Sequence, residues 1–98
     1  MRVISRKALR DASRRHRDTE EPLDAWFRIA KAANWANLQD VRSVYSHAGQ
    51  VGDCTVFNVK GNGYRLIVRF RFQHRRVYIL RVLTHAEYDK GAWKNECD

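Results

Sequence analysis

Hydrophobic positions recur at two different spacings along the chain, and the spacing changes at Val51. Before it, apolar residues recur every three or four positions, which is typical of amphipathic helices. After it they alternate with polar residues, which is typical of strands with one covered face. The pattern predicts an α+β fold, in which N-terminal helices pack on one face of a mostly antiparallel sheet of four to five strands.

The N-terminal half is predicted to hold one short strand and three helices. Val3-Ile4 forms the strand, and Ser5 caps a helix that runs to about Arg17. Thr19 caps the second helix, with Pro22 in its first turn. A third helix follows, with one cap and four inward-facing residues: Asn37, then Leu38, Val41, Val44 and Tyr45.

The C-terminal half is predicted to form two hairpins. Strands over residues 54–60 and 64–73 are joined by a tight turn at Asn62-Gly63, which suits a type I′ geometry. A second turn at His74-Arg75 leads into the strand over residues 76–84. This last strand is mostly apolar, so we expect it to lie in the centre of the sheet.

These two turns set the expected register and the two faces of the sheet. They place Lys60 opposite Arg65, and Arg65 opposite Thr84. One face is then apolar and available to the helices. The strand alternation places Arg81 on this same face, where we expect it to be structural and to pair with an acidic helix residue. The other face is expected to be polar and cationic: Asn58, Lys60, Arg65, Arg69, Arg71, Tyr78 and Thr84.

Size and charge narrow the function. The chain has 98 residues, which fits a single domain over 1–98, and we expect 92–98 to be a flexible tail. The net charge of +8 favours a polyanionic partner. Residues 1–17 and 59–90 are each net +6, whereas 18–58 are net −3. No apolar run is long enough to cross a bilayer and no secretory signal begins the chain, so we expect a cytoplasmic protein without a membrane partner.

The two cysteines predict no disulfide and no metal site. Cys54 lies in an expected strand and Cys97 in the expected tail, and their spacing matches no metal-binding pattern. A reducing cytosol would keep both as thiols.

The segment Thr84–Lys90 contains the residue types needed to cleave a phosphodiester. His85, Glu87 or Tyr88 could transfer protons, while Arg65 or Lys90 could stabilise charge on phosphate. The alternative is an ordinary polar strand end, in which Tyr88 packs and His85 is a buried structural group.

Basic residues outside this segment also have two interpretations. Arg65, Arg69 and Arg71 either grip phosphate or form a solvated surface. The first helix carries Arg6, Lys7 and Arg10, which either bind an RNA backbone or only keep the surface polar.

Three segments together resemble one protein family. Met1–Leu9, Val56–Val68 and Thr84–Lys90 are similar, in order, to the HigB-type toxins of the RelE-like superfamily of type II toxin–antitoxin systems. The glycine turn followed by Tyr64-Arg65-Leu66 recurs across that superfamily.

The resemblance implies a RelE-like fold and ribosome-dependent cleavage of mRNA, by metal- and cofactor-free attack of a 2′-hydroxyl on the adjacent phosphodiester. It implies contacts with 16S rRNA and a HigA-type helix-turn-helix antitoxin as partner. Arg65 matches the superfamily's phosphate-binding arginine and Tyr88 its C-terminal aromatic. Relatives place basic residues at Lys60 and Asn58, but Asn58 is not basic, so the general base stays open between His85 and Glu87.

Two other classes of function fit the same residues. One is a non-catalytic RNA- or ribosome-binding module that uses the basic face. The other is a regulatory protein that binds an acidic partner, or DNA, although no helix-turn-helix pattern is present in this chain.

Overall fold

The computed structural model describes residues 1–98 and contains one five-stranded sheet. The strands are β1 (Arg2–Ile4), β2 (Gly49–Val51), β3 (Cys54–Val59), β4 (Tyr64–Arg71) and β5 (Arg76–Thr84). Their order is β1-β5-β4-β3-β2. Only β1 runs parallel to its neighbour, β5, so the sheet is mostly antiparallel and β5 lies inside it, as predicted.

Four helices accompany the sheet: α1 (Arg6–Arg15), α2 (Glu20–Ala32), α3 (Leu38–Val44) and α4 (His85–Lys90). Three short 3₁₀ segments complete the chain: Arg17–Thr19, Phe72–His74 and Ala92–Cys97. The first three helices pack over one side of the sheet, which we call the helix face, and enclose the main core. The α+β class predicted from the sequence is confirmed.

Aromatic rings fill the centre of this core because the strand side chains alternate. Phe57 and Phe70 point to the helix face and meet Trp26 and Trp35 from the helical half. The Trp26 and Phe57 ring centroids lie 5.5 Å apart in an edge-to-face arrangement, the favoured geometry for such pairs. The core thus fixes the position of the helices on the sheet.

The predicted helix starts are confirmed, and Ser5, Thr19 and Asn37 occupy the N-cap positions, but only Asn37 makes a capping hydrogen bond. Ser5 takes a left-handed conformation (φ 70°) and makes no capping hydrogen bond. The Thr19 hydroxyl instead donates to the His16 carbonyl at 2.6 Å. Asn37 does cap α3, because its side-chain oxygen accepts from Asp40 N at 2.9 Å. Val44, expected to face inward, is 52% exposed.

The faces of β3 and β4 were predicted correctly, but their register was not. The loop 60–63 has four residues, with positive φ at Lys60 and Gly61, so Asn58 pairs with Arg65. In the second hairpin Arg65 lies opposite Leu83, whereas Tyr64 pairs with Thr84. The predicted Arg65–Thr84 pair is therefore wrong.

An irregularity between Ile67 and Val68 also exchanges the faces expected for residues 81–84 of β5. It shifts the pairing so that Arg81 lies opposite Ile67, on the side away from the helices. The guanidinium of Arg81 pairs there with Glu96 at 2.7 Å, and not with a helix residue as expected.

The C-terminal segment covers the opposite side of the sheet, which we call the second face. Residues 92–98 were expected to be a flexible tail, but Ala92–Cys97 forms a 3₁₀ helix in which Trp93 is 4% exposed. Its apolar side chains pack on Val56 and Ile67, whose positions in the strand alternation point away from the helices. The central part of the second face is therefore a small second core.

A disulfide joins this segment to the sheet. Cys54 and Cys97 are bonded, with their Cα atoms 5.1 Å apart, so the prediction of two free thiols is wrong. Sequence spacing gave no indication of the pair, because it forms only once Ala92–Cys97 lies across the second face. The residues described include no helix with the length and hydropathy to span a membrane.

Candidate functional site

Arg65, Tyr88 and Trp93 form a three-layer stack at the edge of the second core. The Arg65 guanidinium carbon lies 5.1 Å from the centroid of the Tyr88 ring. Tyr88 stacks in turn on Trp93, with centroids 4.9 Å apart and planes 17° from parallel. Cation–π and ring-stacking contacts each stabilise by about 1 kcal/mol. The predicted cation and the predicted aromatic are therefore brought together.

Helix α4 carries four predicted site residues, His85, Glu87, Tyr88 and Lys90, and a capping box starts it. The Thr84 hydroxyl accepts from Glu87 N at 3.2 Å, and Glu87 Oε1 accepts from Thr84 N at 2.9 Å. This reciprocal pair satisfies two amide groups at the start of the helix. The segment predicted as a polar strand end is thus a helix, which ends at Gly91 in a left-handed conformation (φ 76°).

The same hydrogen bonds determine the protonation of Glu87. The Thr84 amide, chiefly, and then its hydroxyl and the nearby His16 and Arg15 side chains, hold the pKa of this carboxyl below its ordinary value. Glu87 is accordingly a carboxylate at neutral pH and has no proton to give.

His85 and Asp89 lie one turn apart on the exposed side of α4. Nε2 of His85 is 3.1 Å from Asp89 Oδ2, and both side chains are more than half exposed. The alternative interpretation, in which His85 is a buried structural group, is therefore wrong. Lys90 is exposed at the end of the same helix and makes no ion pair within the chain.

Asn58 extends the site onto the neighbouring strand. It is exposed and lies opposite Arg65 in the β3–β4 pairing, so both side chains point to the second face. The half-buried Arg65 donates from Nη1 to the Tyr64 carbonyl at 3.1 Å and makes no ion pair with a carboxylate. Its charge is available to an anion from solvent.

Arg69 and Arg71 are already paired with a carboxylate of the chain. Asp53, in the turn between β2 and β3, lies 2.9 Å from Arg69 Nε and 3.0 Å from Arg71 Nη2. Hydrogen bonding from Arg71, above all, keeps the pKa of Asp53 low. Arg69 also donates to the Glu96 carbonyl. These two predicted RNA-binding arginines belong to the anchor of the C-terminal segment, apart from the Arg65 stack.

Lys60 projects toward the helices and not onto the second face. Its ammonium lies 3.2 Å from Asp18 Oδ2, while the Tyr64 hydroxyl donates to Asp18 Oδ1 at 2.9 Å. The bond from Tyr64, and then that from Lys60, lower the pKa of the Asp18 carboxyl. The His16 ring lies 5.1 Å from that of Tyr64. This corner joins the 60–63 loop to the end of α1.

Arg6, Lys7 and Arg10 lie on α1, beside a surface groove. The groove, of about 810 Å³, runs between α1 and α2 and includes Arg6 and Arg10 but not Lys7, which pairs with Asp11 at 3.6 Å. Arg6 lies over the Phe27 ring at 4.1 Å. The two walls have opposite charge: Arg6, Arg10, Arg14 and Arg17 face Glu20, Glu21 and Asp24.

The structure thus divides the predicted site residues among four places. Asn58, Arg65 and Tyr88 lie together on the second face, and α4 carries His85, Glu87 and Lys90 beside Tyr88. Lys60 lies at the α1 corner, Arg69 and Arg71 lie beside Asp53, and the α1 residues line or flank the groove.

Two residues of this arrangement were missed from the sequence. Trp93 could not be placed because nothing in its neighbourhood shows that the tail folds back over the sheet. Asp89, which lies beside His85, could have been found, since a spacing of four residues places two side chains together on any helix. The capping box Thr84-His85-Ala86-Glu87 was the available indication of that helix.

Comparison with known proteins gives one family and several relatives. Residues 19–91 match the family model described as HigB_toxin, RelE-like toxic component of a toxin-antitoxin system. The chain is 24% identical over 93 residues to the mRNA interferase HigB of Escherichia coli O6:H1, covering 92% of this chain and 90% of that protein. It is 28% identical over 92 residues to the mRNA interferase toxin HigB of Escherichia coli K12, covering 91% and 88% respectively.

Proposed function

Because the chain belongs to the HigB toxin family of RelE-like toxins, we propose that it is a ribosome-dependent, metal-independent mRNA endoribonuclease. Relatives named mRNA interferases support RNA cleavage at the level of the family. The reaction proposed is attack of a 2′-hydroxyl on the adjacent phosphodiester, which leaves a 2′,3′-cyclic phosphate and a free 5′-hydroxyl.

The observation that carries this proposal is the contact between Arg65 and Tyr88. It places a cation without a carboxylate partner beside an aromatic face, at a half-exposed position. A nucleotide stacked near Tyr88 would present its phosphate to the guanidinium, which can bind two oxygens in one plane. Arg65 would then neutralise the charge that develops on the phosphate during attack.

We assign proton transfer to His85 and not to Glu87. Glu87 is engaged by the Thr84 amide and remains ionised, so it serves as the cap of α4. His85 is more than half exposed, and its Nε2 lies 3.1 Å from Asp89 Oδ2, so Nδ1 is the nitrogen that we assign to proton transfer. A histidine oriented by a carboxylate is the usual arrangement of a general base.

Lys90 and Asn58 are assigned to binding. Lys90, exposed at the end of α4, supplies a second cation for the phosphate or for the departing 5′-oxygen. Asn58 lies beside Arg65 and offers an amide to the RNA backbone or to a base edge. Asp53 pairs with Arg69 and Arg71 and neutralises part of their charge. We therefore assign these two arginines only a contribution to the electrostatic field around the RNA.

The α1 arginines could bind either RNA or a protein, and the charge of the groove favours a protein. An RNA backbone along Arg6 and Arg10 would also meet Glu20, Glu21 and Asp24. A helix with acidic residues on one side and basic residues on the other would be neutralised by both walls. Membership of the family implies a cognate antitoxin. We therefore propose that a HigA-type antitoxin uses this groove, while Lys7 stays available to mRNA or 16S rRNA.

The proposed location is the cytoplasm, where translated mRNA is found. The cytoplasm is reducing, so its thiols would favour reduction of the Cys54–Cys97 disulfide.

The test is expression in bacteria together with cleavage of a translated message in a purified translation system. Wild type should arrest growth and cut the message only when ribosomes are translating it, whereas Arg65→Ala should do neither. Arg28→Ala removes the same charge from an exposed position on α2 and should behave as wild type. The proposed function is overturned if wild type makes no ribosome-dependent cuts, and the assignment of Arg65 is wrong if Arg65→Ala keeps full toxicity and cleavage.

The second candidate is a non-catalytic RNA- or ribosome-binding module, which the same basic residues would support. It predicts ribosome binding and translation arrest without new RNA ends, and it predicts that His85→Gln leaves both unchanged.

A further inference from the structure

The C-terminal segment Ala92–Cys97 lies directly behind the Tyr88 ring, and nothing in the family comparison gives it a role. We propose that Trp93 is a positioning residue of the candidate site, and that the Cys54–Cys97 bond holds Trp93 in place. The proposal rests on the proposed function for its catalytic part.

Trp93 contacts Tyr88 in two independent ways. Its indole ring stacks on the phenol ring, with centroids 4.9 Å apart. Its Nε1 also donates to the Tyr88 carbonyl at 2.9 Å. The first contact fixes the plane of the Tyr88 ring and the second fixes its backbone, so the orientation of Tyr88 depends on a residue five positions later.

Arg65 depends on Tyr88 in the same manner. The guanidinium lies over the Tyr88 ring, and a single hydrogen bond to the Tyr64 carbonyl is its other polar contact within the chain. Without the ring, an arginine side chain of this length has many rotamers of similar energy. Trp93 is therefore the base of a stack whose outer layer is the proposed phosphate-binding cation.

Trp93 itself is held from two sides. It is 4% exposed and packs within the second core, and the segment continues for four residues to Cys97, which is bonded to Cys54 at the start of β3. Glu96 adds an ion pair to Arg81 at 2.7 Å.

The end of the segment docks tightly against the β2–β3 turn. Asp53 N donates to the Cys97 carbonyl at 2.6 Å. A Cβ atom on Gly52, which has a φ of 55°, would lie 2.3 Å from that carbonyl oxygen. Only glycine permits this approach, so the turn is built to receive the segment.

Reduction of the disulfide would release this anchor. A dithiol such as dithiothreitol supplies two electrons and two protons, so the bond between the sulfurs breaks. Two thiols form on Cys54 and Cys97, and the reductant becomes a cyclic disulfide. Trp93 then keeps only its packing and its hydrogen bond. We expect the Arg65 stack to loosen in the reduced protein.

The first test measures the stack without using activity. In the purified full-length protein, the ring current of Tyr88 should shift the NMR signals of the Arg65 side-chain protons upfield. Trp93→Leu should remove most of that shift, whereas Trp93→Phe should keep it because a ring can still stack. Asn95→Ala, at an exposed position of the same segment, is the matched control and should change nothing. Unchanged Arg65 signals in Trp93→Leu would overturn the proposal.

The second test separates positioning from stability. We expect Trp93→Leu to lower kcat for RNA cleavage by about tenfold or more, with KM changed by less than about threefold, as for other misplaced catalytic groups. In a Tyr88→Leu background the same change should have little further effect, because Trp93 acts through Tyr88. Fully multiplicative losses would mean that Trp93 only stabilises the fold, and would overturn the proposal.

The third test addresses the disulfide. Dithiothreitol, Cys97→Ser and Gly52→Ala should each reduce the Arg65 shift and kcat in the same direction, and Cys97→Ser should be insensitive to the reductant. If reduced wild type keeps the oxidised values, the anchor part of the proposal is wrong. A wild type that cleaves no RNA, but whose Arg65 signals respond to Trp93→Leu, would overturn the proposed function and support the positioning.

Discussion

The Arg65 guanidinium lies 5.1 Å from the centroid of the Tyr88 ring, although 23 positions separate the two residues in the sequence. β4 supplies the cation and α4 the ring, and they meet because β5 returns the chain to the start of β4, where Thr84 pairs with Tyr64. Any change that alters this meeting point should alter RNA cleavage before it alters the fold.

The contribution of Arg65 should depend on its shape as well as its charge. Arg65→Ala is expected to lower kcat/KM by about 10²- to 10³-fold, in line with the loss of one group that stabilises a transition-state anion. Arg65→Lys should recover only part of this, because an ammonium neither stacks flat on Tyr88 nor binds two oxygens in one plane. Single-turnover cleavage measures both, with Arg28→Ala as the charge-matched control. Equal activity of Arg65→Lys and wild type would mean that charge alone matters.

His85 is expected to carry the proton transfer. His85→Gln should lower kcat by about 10²- to 10⁴-fold with little change in RNA affinity, as is typical when a general acid or base is removed. Asp89→Asn should have a smaller effect in the same direction, because it keeps the side-chain shape but weakens the hold on Nε2. Single-turnover rates together with RNA affinities check this prediction. Full activity of His85→Gln would return the choice of base to the other groups of the site.

Glu87 is expected to act as a helix cap and not as a proton donor. Glu87→Gln preserves the capping geometry and should keep activity within about threefold, whereas Glu87→Ala should fray α4. Backbone chemical shifts of residues 85–90 and cleavage rates measure the two effects. A large loss of activity in Glu87→Gln, with α4 intact, would show that the carboxylate takes part in catalysis.

The cap also predicts a pH dependence. The pKa of Glu87 is lower in the folded chain than its ordinary value of 4.5, so its contribution to stability is complete above that value. This contribution to stability is lost as the pH falls from 4.5 through the pKa that Glu87 has in the folded chain. The protection factors of the α4 amides against hydrogen exchange should therefore fall selectively over this acid range in wild type, but not in Glu87→Gln. The same acid response in both proteins would contradict the assignment of the cap.

The disulfide should contribute a measurable part of the stability. It closes a loop with a sequence separation of 43, for which a bond typically adds about 2–4 kcal/mol to the free energy of unfolding. Denaturant unfolding of wild type with and without dithiothreitol measures this directly. Cys54→Ser and Cys97→Ser should each match the reduced protein, and a reduced protein as stable as the oxidised one would contradict the prediction.

The class of fold was readable from the sequence because it depends on periodicity alone. Alternation over residues 64–71 and three-to-four spacing around Trp26 were sufficient to predict the sheet, the helices and the face on which they pack. The register was not readable, because positive φ at Lys60 moved the turn away from Asn62-Gly63. This shift of two residues keeps the faces of β3 and β4 but changes every partner, so Arg65 pairs with Asn58 and not with Lys60. In the second hairpin, the irregularity between Ile67 and Val68 leaves Arg65 opposite Leu83 and not Thr84.

The sequence singled out Arg65 and Tyr88, by their chemistry and by the resemblance to a family, but it could not give their geometry. The structure brings the two side chains into contact. The roles of Trp93 and Cys97 depend on a tertiary contact between the last segment and the second face, for which neither spacing nor composition gives a rule. The same contact draws Arg69 and Arg71 toward Asp53, so a row of arginines that looks uniform in the sequence is divided in the fold.

The most direct test of the central claim is the chemistry of the RNA ends. A message translated in a purified system with the toxin, and then mapped at both ends of each cut, should show 2′,3′-cyclic phosphate upstream and 5′-hydroxyl downstream. Metal independence is tested with toxin that has been stripped with EDTA and then added to a reaction that contains the metals ribosomes need. This toxin should make the same cuts as untreated toxin. The cuts should disappear with Arg65→Ala and His85→Gln but not with Arg28→Ala. Ends bearing 5′-phosphate, a loss of cleavage by the stripped toxin, or unchanged cuts with both site variants would contradict the account.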